Sequence, residues 1–592
     1  MYIKRHVVTR GAKRYVYLRL VEAFRTDVGK VRHRVLVTLG REDELKASGQ
    51  LDQLAAAFTR LDPPRVGFRR EVGPLLLVQH VVERLGLVAL IDRHVPQRGR
   101  AELTTGEVVA ALIANRLCAP APLYDIAAWG SNAALHEVMG VPGMLLNDDR
   151  LGRALEAFAP VAESVRGEAA LAAVQTFGAD AARLHVDLTT LRVAGAYRDS
   201  ELVAKGWSSD RRVARQVQML QATNPEGIPL YVRPHPGDAA ELTCIGAALE
   251  RLAALLGPGV LICADSALGH IKNLCAAHRA GLQFVVPLRA STGFATTFLE
   301  QVGFRALRPL RYVSRRGQGV PGHRRNRYRG TLRPLPVTDP ETGERSTFRV
   351  VYVWSSEEAS SVAEGRERAL IKAELELAKI SRGLGGRCYK TLAQVEARVA
   401  TILIQPIRGL VVVKTGMQAA KPTLDWHRDR DAIAAAARTD GIYALATNLP
   451  GRLSPNRILC LYKDQFRVEL RHRDAKQTLR VRPLFLHNDD RIGALVSIVG
   501  LALLVFGIIE AAVRRGLGPG QTLPILPEGR AALPTGRSIL AAFQGLGLTY
   551  TEQGPILDHL TATQRRMLRV LDALIPWPEG DSLPSVTCGK RA

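Results

Sequence analysis

The chain has 592 residues, with 81 Lys and Arg against 56 Asp and Glu and a formal net charge of +25. That length exceeds one compact domain and points to three to five modules on size grounds. The positive excess favours a polyanionic partner, nucleic acid before an anionic membrane. Seven cysteines form no CxxC pair, which argues against a zinc ribbon or a disulfide framework and fits a reducing cytosol. The N-terminus carries no apolar signal-peptide core.

Residues 1–70 read as a β-rich module: YVYLRLVEAFR and RHRVLVTLG flank the turn-like TDVGK. Arg14, Tyr15, Tyr17 and Arg19 alternate, which suits a DNA-contacting hairpin or a solvated sheet face equally. Residues 71–165 read as a helical module with a DNA-binding role open to it. PLLLVQHVVERLGLVALIDRHV has helical apolar spacing, and TTGEVVAALIANRL starts on Thr with Glu107 in its first turn.

Residues 166–295 carry the clearest order. In ARLHVDLTTLRV, Leu184, Val186 and Leu188 share one strand face, and His185, Asp187 and Thr189 the other. An Asp inside so strong a strand is unfavourable without a reason. Two strands follow around an Asn-Pro-Glu-Gly turn, then a helix, a strand ending at Asp265, a helix and the strand LQFVVPLR. Three strands, helix, strand, helix, strand is the order of an RNase H-like α/β fold, a mixed sheet flanked by helices. In that arrangement Asp187 and Asp265 lie side by side. Pairing of Asp187 with Arg183 or Arg192, and capping of the next helix by Asp265, are the plain alternatives.

Residues 296–445 read as a basic, mixed β/α insertion domain. No acidic residue occurs from Gln301 to Thr338, and Arg315, Arg316, Arg324, Arg325 and Arg327 stand among Tyr312 and Tyr328. A one-sign run with aromatics suits a phosphate-tracking strand or loop; the alternative is a disordered basic loop. EEASSVAEGRERALIKAELELAKI reads as an amphipathic helix. Trp354 and Trp426 suit core packing first, and stacking on an unpaired base second.

Residues 446–515 return to the core. Taken as one helix, Leu461–Arg482 puts Tyr462, Gln465, Glu469 and Lys476 on one face with Arg473 beside them. The alternative is a surface helix held by i,i+4 ion pairs. VRPLFLHNDDRIG supplies a short strand or loop. Ile492–Ile509 lacks charge for 18 residues, near the minimum for a membrane span, yet reads better as a buried core helix. Residues 516–592 form a tail with one helix, TATQRRMLRVLDAL.

Asp187, Asp265 and Glu469, in this order and with a large insertion before the Glu, resemble the acid triad of DDE transposases of bacterial insertion sequences. The signature Tyr-x2-Arg-x3-Glu-x6-Lys is matched by Tyr462, Gln465, Glu469 and Lys476, with Gln465 in place of the arginine. KGWSSDRRVARQVQ, GIPLYVRPHPGD, ADSALGH and DGIYALATN are similar to the same group, so the resemblance covers most of the chain.

The resemblance implies metal-dependent cleavage at element ends, then attack of the freed 3′-OH on target DNA. It implies Asp187, Asp265 and Glu469 as ligands of two Mg²⁺ or Mn²⁺ ions, and Tyr462 and Lys476 as DNA-backbone contacts. Double-stranded DNA as partner, a homodimer in the DNA complex, a cytoplasmic location and no membrane belong to the same expectation. Phosphodiester hydrolysis or transfer needs an attacking oxygen activated and a leaving oxygen stabilised, which two ions roughly 3.5–4 Å apart, held by carboxylates, can supply. A metal-dependent nuclease without strand transfer, or a non-catalytic DNA-binding derivative, are the competing readings.

Overall fold

The computed structural model describes residues 2–10, 13–25, 31–47, 67–96, 101–195, 197–208, 212–289, 293–480, 486, 488–518 and 520–579. The expected turn TDVGK, and part of the segment VRPLFLHNDDRIG, lie outside them. The chain divides into two compact units, one of Met1–Glu71, Gly547–His559 and Pro576–Ala592, the other of Val72–Leu546 and Leu560–Ile575.

In the first unit, β1 (Tyr2–Arg10), β2 (Lys13–Arg25) and β3 (Val31–Arg41) form an antiparallel meander. β4 (Arg69–Glu71) pairs with the strand Gly547–Thr551, which pairs in turn with Gly554–Leu557.

The second unit is built on a ten-stranded mixed sheet. Its strands are β5 (Arg183–Arg192), β6 (Ala204–Trp207), β7 (Val213–Thr223), β8 (Pro229–Pro236), β9 (Leu261–Ala264), β10 (Gln283–Pro287), β11 (Arg308–Leu310), β12 (Tyr328–Thr338), β13 (Arg345–Ser355) and, after the small hairpin β14 (Val411–Gln418) and β15 (Lys421–Arg428), β16 (Ile442–Thr447). β8, β7 and β5 are antiparallel neighbours, while β9 and then β10 run parallel to β5. This is the RNase H-like arrangement. Helix Glu241–Leu256 leads into β9, and helix Ile271–Arg279 makes the crossover to β10.

The insertion extends this sheet rather than standing apart from it. β16 lies antiparallel to β10, and β13, β12 and β11 add beyond it. Asn448 locks the join: its side chain donates to Leu282 O at 2.8 Å and accepts from Phe284 N at 2.8 Å. The amphipathic segment forms helix Ser356–Arg382, which buries Leu370, Ala373, Leu377 and Ile380 against Val395, Leu424 and the partly buried Trp426.

The uncharged run forms helix Asp489–Leu517, and 94% of its most apolar window is buried inside the protein. It meets β8 so closely that two glycines are required. A Cβ on Gly507 would stand 2.9 Å from Gly227 O, and one on Gly500 would stand 3.0 Å from Val232. The helices of residues 75–177 pack around it, among them Thr105–Cys118. That helix opens with a capping box, Thr104 Oγ1 accepting from Glu107 N and Glu107 Oε2 from Thr104 N. Thr561 and Gln564 start helix Ala562–Leu571 in the same way.

Candidate active site and its supporting cluster

β5 is buried on both faces. Leu184 and Val186 are covered on one side; His185 is fully covered and Thr189 nearly so on the other. Asp187 sits on the His185 face with a side chain 21% exposed. Val186 pairs with Ala264 in the parallel β5–β9 ladder, so Asp187 and Asp265 follow at matching positions on neighbouring strands. Asp265 does not cap the next helix, which starts at Ile271 on His270. It closes a turn instead, accepting from Ala267 N at 2.9 Å. Arg183 pairs with Asp464 at 3.1 Å rather than with Asp187, which faces His472 Nδ1 at 3.4 Å.

Burial raises the Asp265 carboxyl above the usual range, and the charge of Asp187 adds to the rise. Glu241, the first residue of its helix, is pushed up to about 7 by burial, then by Asp265 and Asp187, and in its protonated form donates to Asp265. Like charges crowded in a half-buried corner hold a proton between them when nothing else neutralises them.

The stretch around Glu469 departs from the single helix expected. Helix Pro455–Lys463 ends at Asp464, a second helix runs Phe466–Arg473, and a π-turn follows over Asp474–Thr478. At the break, bonds tighten to three-residue spacing, with Gln465 N to Tyr462 O and Arg467 N to Asp464 O, both 3.2 Å. Asp464 is a poor helix former, and Arg183 holds its carboxylate. Tyr462, Gln465, Glu469 and Lys476 therefore do not share one continuous helical face. Glu469 and Arg473 are exposed, Gln465 and Lys476 are half-buried, and Val468, Arg471 and His472 face inward. Tyr462 packs against the core cluster of Leu445, Leu459 and Leu461. Its hydroxyl is pushed up to about 12 by burial, then by the Asp265 and Glu469 carboxylates.

Behind the second helix lies a buried ionic cluster that sequence reasoning missed. The Arg471 guanidinium donates to Gly227 O at 2.5 Å, to Asp474 Oδ2 at 2.9 Å and to Glu510 Oε2 at 2.8 Å. Glu510 also accepts from Gly536 N at 3.0 Å and pairs with Arg514 at 2.6 Å. Phe506 stacks 5.0 Å from the guanidinium carbon.

Three family models match the chain. One, described as the IS1634 family transposase N-terminal domain, covers residues 3–64, and a domain of unknown function covers 69–164. The transposase DDE domain covers residues 179–505, over half of the chain. This chain belongs to the DDE transposase family. No curated protein matches it.

In this transposase the carboxylates of Asp187 and Asp265 suit a hard divalent cation. Both are oxygen donors at neighbouring positions, and a cation between them relieves their repulsion. Among the described residues, no three His, Cys, Asp or Glu side chains converge tightly enough to hold a metal ion. Glu241 and His472, neither foreseen, stand beside the two aspartates, Glu241 at Asp265 and His472 at Asp187.

The basic run of the transposase is ordered, winding through two short 3₁₀ turns between β11 and β12. Arg315, Arg316, Arg324, Arg325 and Arg327 are all exposed there. Arg316 approaches Glu357 at 3.6 Å, whereas Arg315 lies 4.9 Å over the Phe466 ring. A cavity of about 380 Å³ opens beside this contact, lined by Tyr312, Arg315, Lys463, Phe466, Arg467 and Arg514 among others. A cavity of about 700 Å³ lies around Arg333, Arg349 and Asn448, and none of the three predicted acids lines it. Trp354 packs edge-on to Phe304 at 5.8 Å, and Trp426 packs in the insertion core.

Proposed function

We propose that this transposase cuts phosphodiesters at the ends of a DNA element and joins the freed 3′-OH to target DNA, with Asp187, Asp265 and Glu469 holding the required divalent ions. The observation that carries the reading is the pairing of β5 with β9, which brings Asp187 and Asp265 together beneath the helix bearing Glu469. Two bound Mg²⁺ or Mn²⁺ ions supply activation of the attacking oxygen and stabilisation of the leaving one.

The chain's own groups do the rest. His472 holds the Asp187 carboxylate in orientation, and the Arg471 cluster fixes the helix that presents Glu469. Arg315, Lys463 and Arg467 line a cationic wall suited to backbone phosphates, with the Tyr462 ring 5.7 Å from the Lys463 ammonium. In the first step water attacks phosphorus, the bond to the 3′ oxygen breaks, and that oxygen takes a proton. In the second, the 3′-OH attacks a target phosphodiester and the displaced target 3′ oxygen takes the proton. A pair of protein copies in the DNA complex belongs to the same reading.

The test is incubation of the protein with Mg²⁺ and duplexes carrying inverted terminal ends. Joined products are expected; nicks without joining would leave only a nuclease. Asp187→Asn should lose both products while binding DNA as before, and full activity in that variant would end the assignment.

A further inference from the structure

β6 and the start of β7 form a two-stranded arm that the site above does not use, joined at its root to the end of β5 by the pairing of Arg192 with Gln216 and by Val193 N donating to Arg215 O at 3.0 Å. Trp207 pairs with Val213 and Lys205 with Arg215, so these four side chains stand on one face of the ribbon. Trp207 is 68% exposed and Val213 66% exposed, while Lys205 and Arg212 are also exposed. An indole and a valine left in water at a strand end, flanked by cations, mark an interaction surface rather than a stray apolar residue.

The root of the arm is rigid. Gln216 Nε2 donates to Gly237 O at 2.9 Å and Gly237 N donates to Leu202 O at 3.0 Å. A Cβ on Gly206 would stand 2.4 Å from Gln216 Nε2 and 2.5 Å from Gly237 O, so the strands close up only on glycine. Ser208 N to Arg212 O, 2.8 Å, ties the outer end.

The arm also points the right way. Asp187 lies opposite Gln221 on β7, and Val213 is eight residues further toward the carboxyl end of β5, the edge where Asp187 and Asp265 emerge. At 3.4 Å per residue the end of the arm lies about 27 Å beyond Asp187. A duplex lying along it advances by about eight base pairs over that distance.

The geometry points to this arm as a DNA-groove reader: Lys205, Arg212 and Arg215 take backbone phosphates and Trp207 with Val213 enters the groove, about eight base pairs from the cut. A two-stranded ribbon fits the major groove, where apolar side chains on its face meet base edges. The orientation rests on the proposed active site; the surface itself does not.

The test measures equilibrium binding of the full chain to a terminal-repeat duplex in EDTA, so that cleavage plays no part. Trp207→Ala should weaken binding roughly five- to tenfold with an unchanged melting temperature, and Trp207→Phe should restore most of it. Lys205→Gln and Arg215→Gln should each lower the salt slope by about one. A photoreactive residue at position 207 should crosslink to DNA at one fixed site. Unchanged affinity in Trp207→Ala, or crosslinks to a second protein copy in place of DNA, would overturn the proposal. Loss of nicking in Asp187→Asn is scored separately, so failure of the arm and failure of the active site are told apart.

Discussion

Arg471 and Glu510 meet at 2.8 Å in the interior, one from the helix that carries Glu469 and the other from the long apolar helix. Both side chains are almost wholly covered, at 4% and 7% exposure. Arg471→Met would leave Asp474 and Glu510 facing each other with less compensation. Losing one partner of a buried ionic cluster costs about 3–5 kcal/mol. A clear fall in melting temperature is expected, and a smaller one for Glu510→Gln, whose amide oxygen still accepts from Gly536. An Arg471→Met protein as stable as the parent would show that the cluster does not hold the helix.

Close approach between the apolar helix and β8 gives a second expectation. Gly507→Ala pushes a methyl against the backbone at Gly227 and Ile228, the latter 3.0 Å away, and should cost about 1–3 kcal/mol. Gly365, inside helix Ser356–Arg382, has nothing within 4 Å of its would-be Cβ. Gly365→Ala should stabilise by up to about 1 kcal/mol. Paired denaturant titrations separate the two.

His235 supplies a pH dependence. Burial, then the charge of Arg233, lowers its pKa to about 4, and its Nε2 has no hydrogen-bond partner. The unfolded chain protonates this group near 6.5. Between about pH 6.5 and 4 the unfolded state binds more protons, so stability drops as pH falls through that window. His235→Leu should flatten the melting temperature against pH there and leave the slope above pH 7 unchanged.

Salt dependence of DNA binding tests the basic connection between β11 and β12. Gln at Arg315, Arg324, Arg325 and Arg327 should reduce the slope of log K against log salt by roughly one for each phosphate no longer neutralised. Arg316→Gln should change it less, because Arg316 already has Glu357 nearby.

Local signals carried much of the architecture. Alternation in ARLHVDLTTLRV marked β5, and the order of strands and helices after it was enough for the RNase H-like sheet. Thr104 with Glu107 announced a helix start through a bond three residues long. What escaped was tertiary. Asp464, at the break, pairs with Arg183, which lies 281 positions earlier in the chain. Glu241 looks like an ordinary helix-starting acid until Asp265 arrives beside it. The arm at Trp207 was read only as part of a family-like stretch, since four strand residues give too short an alternation to notice.

The apolar helix reaches Leu517, twelve residues past the end of the matched DDE domain at 505. Glu510 and Arg514 lie in that overhang. A recombinant fragment trimmed at the match would strand Arg471 in a desolvated socket without its main counter-charge. Anyone dissecting the enzyme should therefore cut no earlier than Leu517, and preferably beyond Gly536, whose amide closes the same socket.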